Sequence, residues 1–203
     1  MKPCLEDYLF DNVLSREGLT LESLTEDVSI PDDDKRYVYV ILTDTKTQFS
    51  KVSRLITGDP YNHISIALDD TLTYAFTFSI TNGLNKSGGF MREDLKKEMA
   101  GSRYSMYRVT VTPQMYLKIE NRLNDYFKKV SETSYNLFGL VNAITQKGIF
   151  KDQDGQMICS QFVAALLSEI GVNVFKNRIL STVRPYEFVR SKLLTFVRRG
   201  TIK

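Results

Sequence analysis

Two residue types that can carry nucleophilic or acid–base chemistry are scarce in this chain, which has two cysteines, Cys4 and Cys159, and one histidine, His63. Cys159 precedes the stretch "SQFVAALLSEIG", whose apolar spacing of three or four residues predicts a helix. The first turn of a helix has free backbone N–H groups and a positive dipole end, and both stabilise a thiolate. The same N–H groups can bind a developing oxyanion. Cys159 is therefore a candidate nucleophile.

The same helix also allows a structural role for the cysteine. Cys159, Val163, Leu166 and Ile170 share one predicted helical face, and that face is apolar. Cysteine is among the most often buried residue types and behaves in a core as a small hydrophobe. The sequence pattern leaves both interpretations of Cys159 open.

His63 begins the apolar segment "HISIAL", a predicted strand, directly after the loop "TGDPYN". A strand end gives a side chain both a fixed backbone and access to solvent, which a general base needs. If the sheet packs against the Cys159 helix, the imidazole can reach the thiol and form a Cys–His pair for nucleophilic catalysis. A lone histidine is more commonly structural, so the pair is a hypothesis.

The elements that would position these side chains follow from sequence patterns. β-branched and aromatic residues predict strands over 37–43, 63–68, 72–78 and 102–111, with a hairpin between the second and third. A short amphipathic helix is expected over 49–57. The stretch "SGGFMREDLKKEM" is expected to be a loop that leads into a short helix.

Helices dominate the second half of the predicted order. Thr112 as N-cap and Pro113 in the first turn predict a helix to about Val130. Further helices are predicted over 135–144, from Cys159 to Gly171, and over 184–197. Strands followed by helices indicate an α+β domain, with an antiparallel sheet packed against a helical layer.

Composition narrows the class of protein. The 203 residues suit one domain, or one domain with an extension, and 42 % apolar and 25 % charged residues are typical of a globular protein. No apolar run approaches the roughly 20 residues of a transmembrane helix, and the N-terminus lacks the apolar core of a secretory signal. Two cysteines without a Cys/His cluster predict neither a disulfide framework nor a metal site, so a reducing, cytoplasmic compartment is expected.

Charge divides the chain near "SIPDDDKR", where a proline and three successive aspartates break regular structure. Residues 1–34 hold ten acidic and two basic residues, a net −8, and the remainder holds 25 basic and 14 acidic residues, a net +11. We interpret 1–34 as an acidic N-terminal extension and 35–203 as the domain. Basic residues are not clustered with aromatic ones and no nucleic-acid motif is present, so no nucleic-acid partner is expected.

Several motifs in a fixed order resemble a known superfamily. "YNHISIALDD", "TYAF", "SGGF", "SYNLFGL" and "ICSQFVAALLSEIGV" are similar to the permuted papain-like fold of the NlpC/P60 superfamily, and most similar to its YiiX/YebB-like and LRAT-like branch. The resemblance covers about residues 36–190. In the permuted order a strand histidine precedes a cysteine at a helix start, as His63 precedes Cys159 here.

The resemblance implies a thiol hydrolase of the peptidase or amidase type, or an acyltransferase, that needs no cofactor or metal. Cys159 would attack an acyl carbon and His63 would be the general base. The implied substrate is a peptide amide, a cell-wall peptide, or a lipid ester or amide, and peripheral contact with a membrane stays open. The resemblance also makes Tyr135 the counterpart of a family tyrosine, although core packing is its default interpretation.

The family pattern also implies a third polar residue, on the next strand, that orients the imidazole. The matching position lies near Ala75, whose side chain cannot accept a hydrogen bond. Tyr74 and Thr77 are the polar candidates in this strand, and a main-chain carbonyl or a water is the alternative. This departure keeps two other hypotheses open: a non-catalytic binding module with the same fold, or an unrelated α+β domain in which both residues are structural.

Overall fold

A six-stranded antiparallel sheet is the centre of the fold in the computed structural model, which describes residue 30 and residues 32–45, 57–80 and 88–203. The strands in chain order are β1 (Arg36–Asp44), β2 (His63–Ala67), β3 (Tyr74–Ser79), β4 (Gly89–Asp94), β5 (Arg103–Val111), β6 (Ser134–Tyr135), β7 (Gln156–Met157) and β8 (Thr195–Thr201). The large sheet has the order β4-β3-β2-β1-β5-β8, and β6 and β7 form a separate parallel pair.

Four helices belong to the described part of the chain. They are α1 (Leu95–Glu98), α2 (Pro113–Lys128), α3 (Leu137–Thr145) and α4 (Cys159–Glu169), and short 3₁₀ turns cover Asp32–Asp34, Val130–Glu132, Leu180–Thr182 and Pro185–Arg190. The antiparallel sheet with its helices is the α+β architecture that the sequence predicts. None of these helices combines the length and the apolar character that crossing a membrane requires.

Strand β2 separates two apolar cores because successive side chains of a strand point to opposite faces. Ile64 and Ile66 belong to the larger core, which also buries the apolar side of α4 through residues such as Phe162. Ala67 belongs to a smaller core that includes Ala75 of β3. By the same alternation His63 and Ser65 lie on the Ala67 side of β2.

Most of the predicted elements are confirmed. The strands predicted over 37–43, 63–68, 72–78 and 102–111 correspond to β1, β2, β3 and β5, and the predicted helices from Pro113, over 135–144 and from Cys159 correspond to α2, α3 and α4. The Thr112 hydroxyl accepts a hydrogen bond from the Met115 N–H at 3.2 Å, which is the expected N-cap. Nearly all of the helix predicted over 49–57 and of the extension 1–34 lies outside the described residues.

Two predictions are wrong, and both concern edge strands of the large sheet. The stretch expected to be a loop before α1 contains β4, which pairs with β3 along its whole length. The helix expected over 184–197 is instead the 3₁₀ turn Pro185–Arg190, and the chain then enters β8, which pairs with β5. Edge strands carry charged residues that protect them from aggregation, so their sequences read less clearly as strands.

Strand β4 begins at a glycine that its surroundings require. Gly89 has φ +129°, a conformation that L side chains rarely adopt, and a Cβ there would lie 2.6 Å from the Thr133 hydroxyl oxygen. The same hydroxyl accepts a hydrogen bond from the Phe90 N–H at 3.0 Å. The close approach of Gly89 to Thr133 therefore fixes the start of β4 against the segment that leads into β6.

Candidate functional site

His63 is held at the start of β2 by contacts of the residue before it. The Asn62 side chain accepts a hydrogen bond from the Thr45 N–H at 2.9 Å and donates one to the Thr45 hydroxyl at 2.6 Å. The Asn62 N–H donates to the Thr43 carbonyl at 3.2 Å, and Thr43 is also the β1 partner of His63. These contacts fix the backbone of His63 at the first position of a central strand, and a general base needs such a fixed position.

The His63 ring is bound to a carboxylate that the sequence analysis did not consider. The Nε2 atom of His63 lies 2.8 Å from Oε1 of Glu93, and the Ser65 hydroxyl donates to the other carboxylate oxygen, Oε2, at 2.9 Å. The His63 and Glu93 side chains are 11 % and 2 % exposed. Both carboxylate oxygens therefore have a buried partner, and the imidazole plane is fixed from one side.

This carboxylate changes the proton affinity of the ring. Burial by itself lowers the pKa of His63, because an imidazolium loses hydration inside the protein. The negative charge of Glu93 opposes burial, and hydrogen bonds with Cys159 and Glu93 add to it, so the pKa of His63 lies well above its ordinary value. The paired carboxylate therefore favours the protonated form of the ring.

Glu93 reaches His63 across an intervening strand. Its own strand, β4, is an edge of the sheet, and β3 separates it from β2. The β3 residue directly opposite Glu93 is Ala75, which is fully buried. Because alanine has only a methyl group, it leaves room for a longer side chain to cross over β3. Ala75, near which the family pattern suggested a polar residue, is thus the register partner of the residue that supplies the carboxylate.

Cys159 is the first residue of α4, as its sequence context predicts. The N-cap residue is Ile158, which makes no side-chain hydrogen bond to the first turn, and the first helical bond runs from the Phe162 N–H to the Ile158 carbonyl at 3.0 Å. The helix start is therefore not capped by a side-chain oxygen. It leaves its N–H dipoles directed toward the region of the thiol, where they favour negative charge.

The thiol lies beside the His63 ring. A hydrogen bond with Cys159 and the charge of its sulfur both raise the pKa of His63. Since Nε2 of the ring is occupied by Glu93, Nδ1 is the nitrogen left to face the sulfur. The His63 ring thus contacts a buried carboxylate and has the Cys159 thiol as a neighbour, and a cysteine beside a histidine is one arrangement that can support nucleophilic catalysis.

Tyr135 adjoins the same thiol. It pairs with Met157 through the β6–β7 ladder, and the Asn136 N–H donates to the Met157 carbonyl at 3.0 Å. The ladder and this hydrogen bond join the segment just before α3 to Met157, which lies two residues before Cys159. Burial raises the pKa of Tyr135 well above its ordinary value, and the charge of Cys159 adds to the effect, so the phenol stays protonated next to the sulfur.

His63, Glu93 and Cys159, together with Tyr135, line a cavity of about 580 Å³. One wall is apolar and comes from α3 through Leu140, Ala143 and Ile144. Further apolar lining comes from Phe78, Ile80, Met91 and Ile158, and polar lining from Thr45, Asp59, Asn62 and Arg184. A cavity of this size can hold a small acyl group or part of a longer chain.

An ion pair lines the cavity outside the Cys–His–Glu group. Nη1 of Arg184 lies 3.1 Å from Oδ2 of Asp59. Burial raises the pKa of Asp59, which the Arg184 charge partly offsets. Glu187 accepts from the Arg184 backbone N–H at 2.8 Å and from Arg178 at 2.6 Å, and the first of these bonds holds the Arg184 backbone against the turn that follows.

The structure gives the two weaker site candidates other surroundings. The Thr77 hydroxyl donates to the Ile64 carbonyl at 2.8 Å, and the Tyr74 ring is 45 % exposed with the Arg92 guanidinium 4.5 Å from its centroid. Neither side chain is a hydrogen-bond partner of His63 among the described contacts. Glu93 lies in "GFMRED", where two adjacent apolar residues precede three charged ones, so no alternation marked this segment as a strand.

Comparisons with known proteins identify a fold relationship. No family model matches the chain, and no curated protein matches its sequence. Among solved structures the fold is similar to that of the metalloprotein YiiX from Escherichia coli O157:H7, with a TM-score of 0.54 and 16 % sequence identity. The match covers 82 % of this chain and 98 % of that one. The chain therefore has a YiiX-like α+β fold.

Proposed function

We propose that this protein is a cysteine-dependent hydrolase or acyltransferase that acts on an amide or ester bond. Cys159 is the nucleophile, His63 the general base and acid, and Glu93 the residue that orients and charges the imidazole. The observation that carries the proposal is the 2.8 Å contact between buried Glu93 and Nε2 of His63, which leaves Nδ1 for the thiol. Glu93 takes the orienting role for which Tyr74 and Thr77 were the sequence candidates.

The geometry supports a two-step reaction. The Cys159 thiolate attacks the acyl carbon, the carbonyl oxygen takes the negative charge, and N–H groups at the start of α4 stabilise it. The imidazolium of His63 then donates its proton to the leaving amine or alcohol, and an acyl-thioester on Cys159 remains. In hydrolysis His63 removes a proton from water, which attacks the thioester. In transfer another nucleophile takes that place.

The comparison with YiiX shows a fold relationship alone. We further propose, from the order of the two site residues, that the chain belongs to the permuted papain-like NlpC/P60 superfamily. His63 precedes Cys159 in the chain, and each is the first residue of its strand or helix. That order matches the permuted group rather than papain. The assignment of residues 35–203 to the domain, with 1–34 as an accessory extension, is part of the same proposal.

YiiX is described as a metalloprotein, which raises the question whether this chain has a metal site of its own. The described residues contain no group of three or more His, Cys, Asp or Glu side chains that could hold a metal ion. At the candidate site, Nε2 of His63 is committed to Glu93, and Ser65 occupies the second carboxylate oxygen. These residues do not fit a metal, and no step of the proposed reaction uses one.

One observation favours the alternative of a binding module with the same fold. Cys159 is only 6 % exposed and His63 only 8 % exposed, so the sulfur is poorly accessible in this conformation. A protein that only binds a ligand in the cavity would not need an accessible thiol. The reactivity of Cys159 therefore separates the two functions.

The deciding experiment measures how fast iodoacetamide alkylates Cys159. Because the chain has only two cysteines, a Cys4→Ser background leaves Cys159 as the single thiol. We expect alkylation at about pH 6.5 to exceed that of a free thiol, whose pKa is about 8.5. We also expect an activated ester to give one equivalent of acyl-protein, detected by mass spectrometry, and Cys159→Ser to abolish it.

His63→Ala is the matched test of activation, since it removes the imidazole and keeps the thiol. We expect alkylation near neutral pH to fall toward the rate of an ordinary thiol, while circular dichroism reports a retained fold. Alkylation of Cys159 only after denaturation would make it a core residue and end the enzymatic proposal. Ready alkylation that His63→Ala leaves unchanged would favour the binding module.

A further inference from the structure

Helix α3 has apolar side chains on two sides. In the described part of the chain one side lines the cavity and the other is exposed. Leu140, Ala143 and Ile144 line the candidate active-site cavity. On the other side Leu137 is 56 % and Phe138 55 % exposed. A helix that is hydrophobic all round is normally enclosed by protein or by lipid. In the described part of the chain the outer side of α3 is thus exposed, although its composition is that of a covered surface.

This outer side continues into the loops beside it. The Phe138 and Phe150 rings are in contact, with centroids 4.9 Å apart and planes tilted by 38°. The side chain of Ile179 approaches Gly148 so closely that a Cβ there would lie 2.7 Å from its Cδ1 atom. We call the following exposed side chains the apolar patch: Leu137, Phe138, Val141, Ile149, Phe150 and Ile179. Single exposed hydrophobic residues are common, but a contiguous group of six marks an interaction surface.

Three lysines lie close to patch residues in the chain. Lys147 and Lys151 flank Ile149 and Phe150 in the loop after α3, and Lys176 precedes Ile179; all three lysines are exposed. The next acidic residues in the loop, Asp152 and Asp154, line a second, polar pocket together with Arg122 and Lys129. Exposed apolar side chains with lysines close to them in the chain are typical of a surface that enters the headgroup region of an anionic bilayer.

We propose that the apolar patch docks on the surface of an anionic lipid bilayer, with Phe138, Phe150 and Ile149 inserted and the lysines at the level of the phosphates. The charge pattern favours a bilayer over a second copy of this chain, because two patches that both carry lysines would repel. The opposite side of the same helix lines the cavity, so docking would bring lipid acyl groups next to the cavity wall. That last step rests on the proposed function, whereas docking does not.

The test is co-sedimentation of the full chain with vesicles of phosphatidylcholine alone or mixed with phosphatidylglycerol. We expect binding to the anionic vesicles that weakens as salt is raised. Phe138→Asp should weaken binding about tenfold or more, since it removes one inserted ring. Phe196→Asp is the matched control, because Phe196 is 53 % exposed and lies on β8, against Tyr107. It should bind like the wild type.

Val141→Asp serves as a second patch variant, and thermal melting monitored by circular dichroism establishes that each variant is folded. Equal binding of Phe138→Asp and Phe196→Asp, or no binding of the wild type, would overturn the proposal. A dimer that forms without vesicle binding and is lost in Phe138→Asp would also overturn it, in favour of a second copy. Cys159→Ser should sediment like the wild type, so a failure of the proposed chemistry leaves this result unaffected.

Discussion

Replacing Glu93 by glutamine tests the charge on the site while keeping its shape. Glutamine can still contact Nε2 of His63 and the Ser65 hydroxyl, but it has no negative charge. That charge is what raises the pKa of the buried His63 against the effect of burial. In Glu93→Gln burial is no longer opposed by a carboxylate, so we expect the pKa of His63 to fall and the ring to become neutral near pH 7.

The expected effect on reactivity follows from the role of the imidazolium. A neutral ring no longer stabilises the Cys159 thiolate, so the pH profile of alkylation should move to higher pH. Acyl transfer to or from Cys159 should slow by about 10²–10⁴-fold, the range in which a positioned acid–base group contributes. Because the fold is retained in Glu93→Gln, this loss of rate would report the missing charge and not a change in packing.

The expected effect on stability depends on pH in a defined direction. The pKa of His63 is raised in the folded protein, so its pairing with Glu93 stabilises the fold fully below about pH 6.5, the ordinary value for histidine, and this contribution is lost as pH rises through the folded pKa. Glu93→Gln should therefore cost about 1–3 kcal/mol near pH 6, and less at alkaline pH.

Urea denaturation at pH 6 and pH 9 measures this stability difference, and iodoacetamide kinetics in the Cys4→Ser background measure the thiol. Equal alkylation profiles for Glu93→Gln and its parent would show that the carboxylate does not act on the thiol through His63. A stability cost that grows with pH would show that the sign of the charge coupling is reversed. Either result would refute the assignment of Glu93.

Two further variants test how Glu93 is held. Ser65→Ala removes the donor to Oε2 of Glu93. We expect it to cost about 1–2 kcal/mol in urea denaturation and to change alkylation less than Glu93→Gln does; a larger kinetic effect would contradict this. Ala75→Leu places a larger side chain where Glu93 crosses β3. We expect about 1–3 kcal/mol of destabilisation and slower alkylation, whereas an unchanged alkylation rate would mean that the carboxylate takes another path.

The central strands, and the positions of His63 and Cys159 at the start of a strand and a helix, could be predicted from sequence for a physical reason. Strands β1, β2, β3 and β5 lie inside the sheet, and their buried apolar residues, many of them β-branched or aromatic, make them apolar-rich segments. His63 and Cys159 each stand at the boundary between a loop and such a segment. Their positions could therefore be inferred from local pattern alone.

Glu93 could not be found in this way because its strand was interpreted as a loop. Strand β4 reads "GFMRED" and carries Arg92 and Asp94 beside the carboxylate, as an edge strand tolerates. Its pairing with β3 depends on contacts that no local pattern encodes. The candidates for the third residue were therefore sought only on β3, whereas Glu93 lies on the neighbouring strand β4.

The position of Glu93 on an edge strand links the proton of His63 to the dynamics of the sheet. In the described part of the chain β4 has a strand neighbour on one side only, so it can open locally at a lower free energy than the central strands. Each such opening withdraws the carboxylate from a ring that stays buried on β2. Without its counter-charge the ring releases its proton, so fraying of the sheet edge and deprotonation of His63 form one coupled equilibrium.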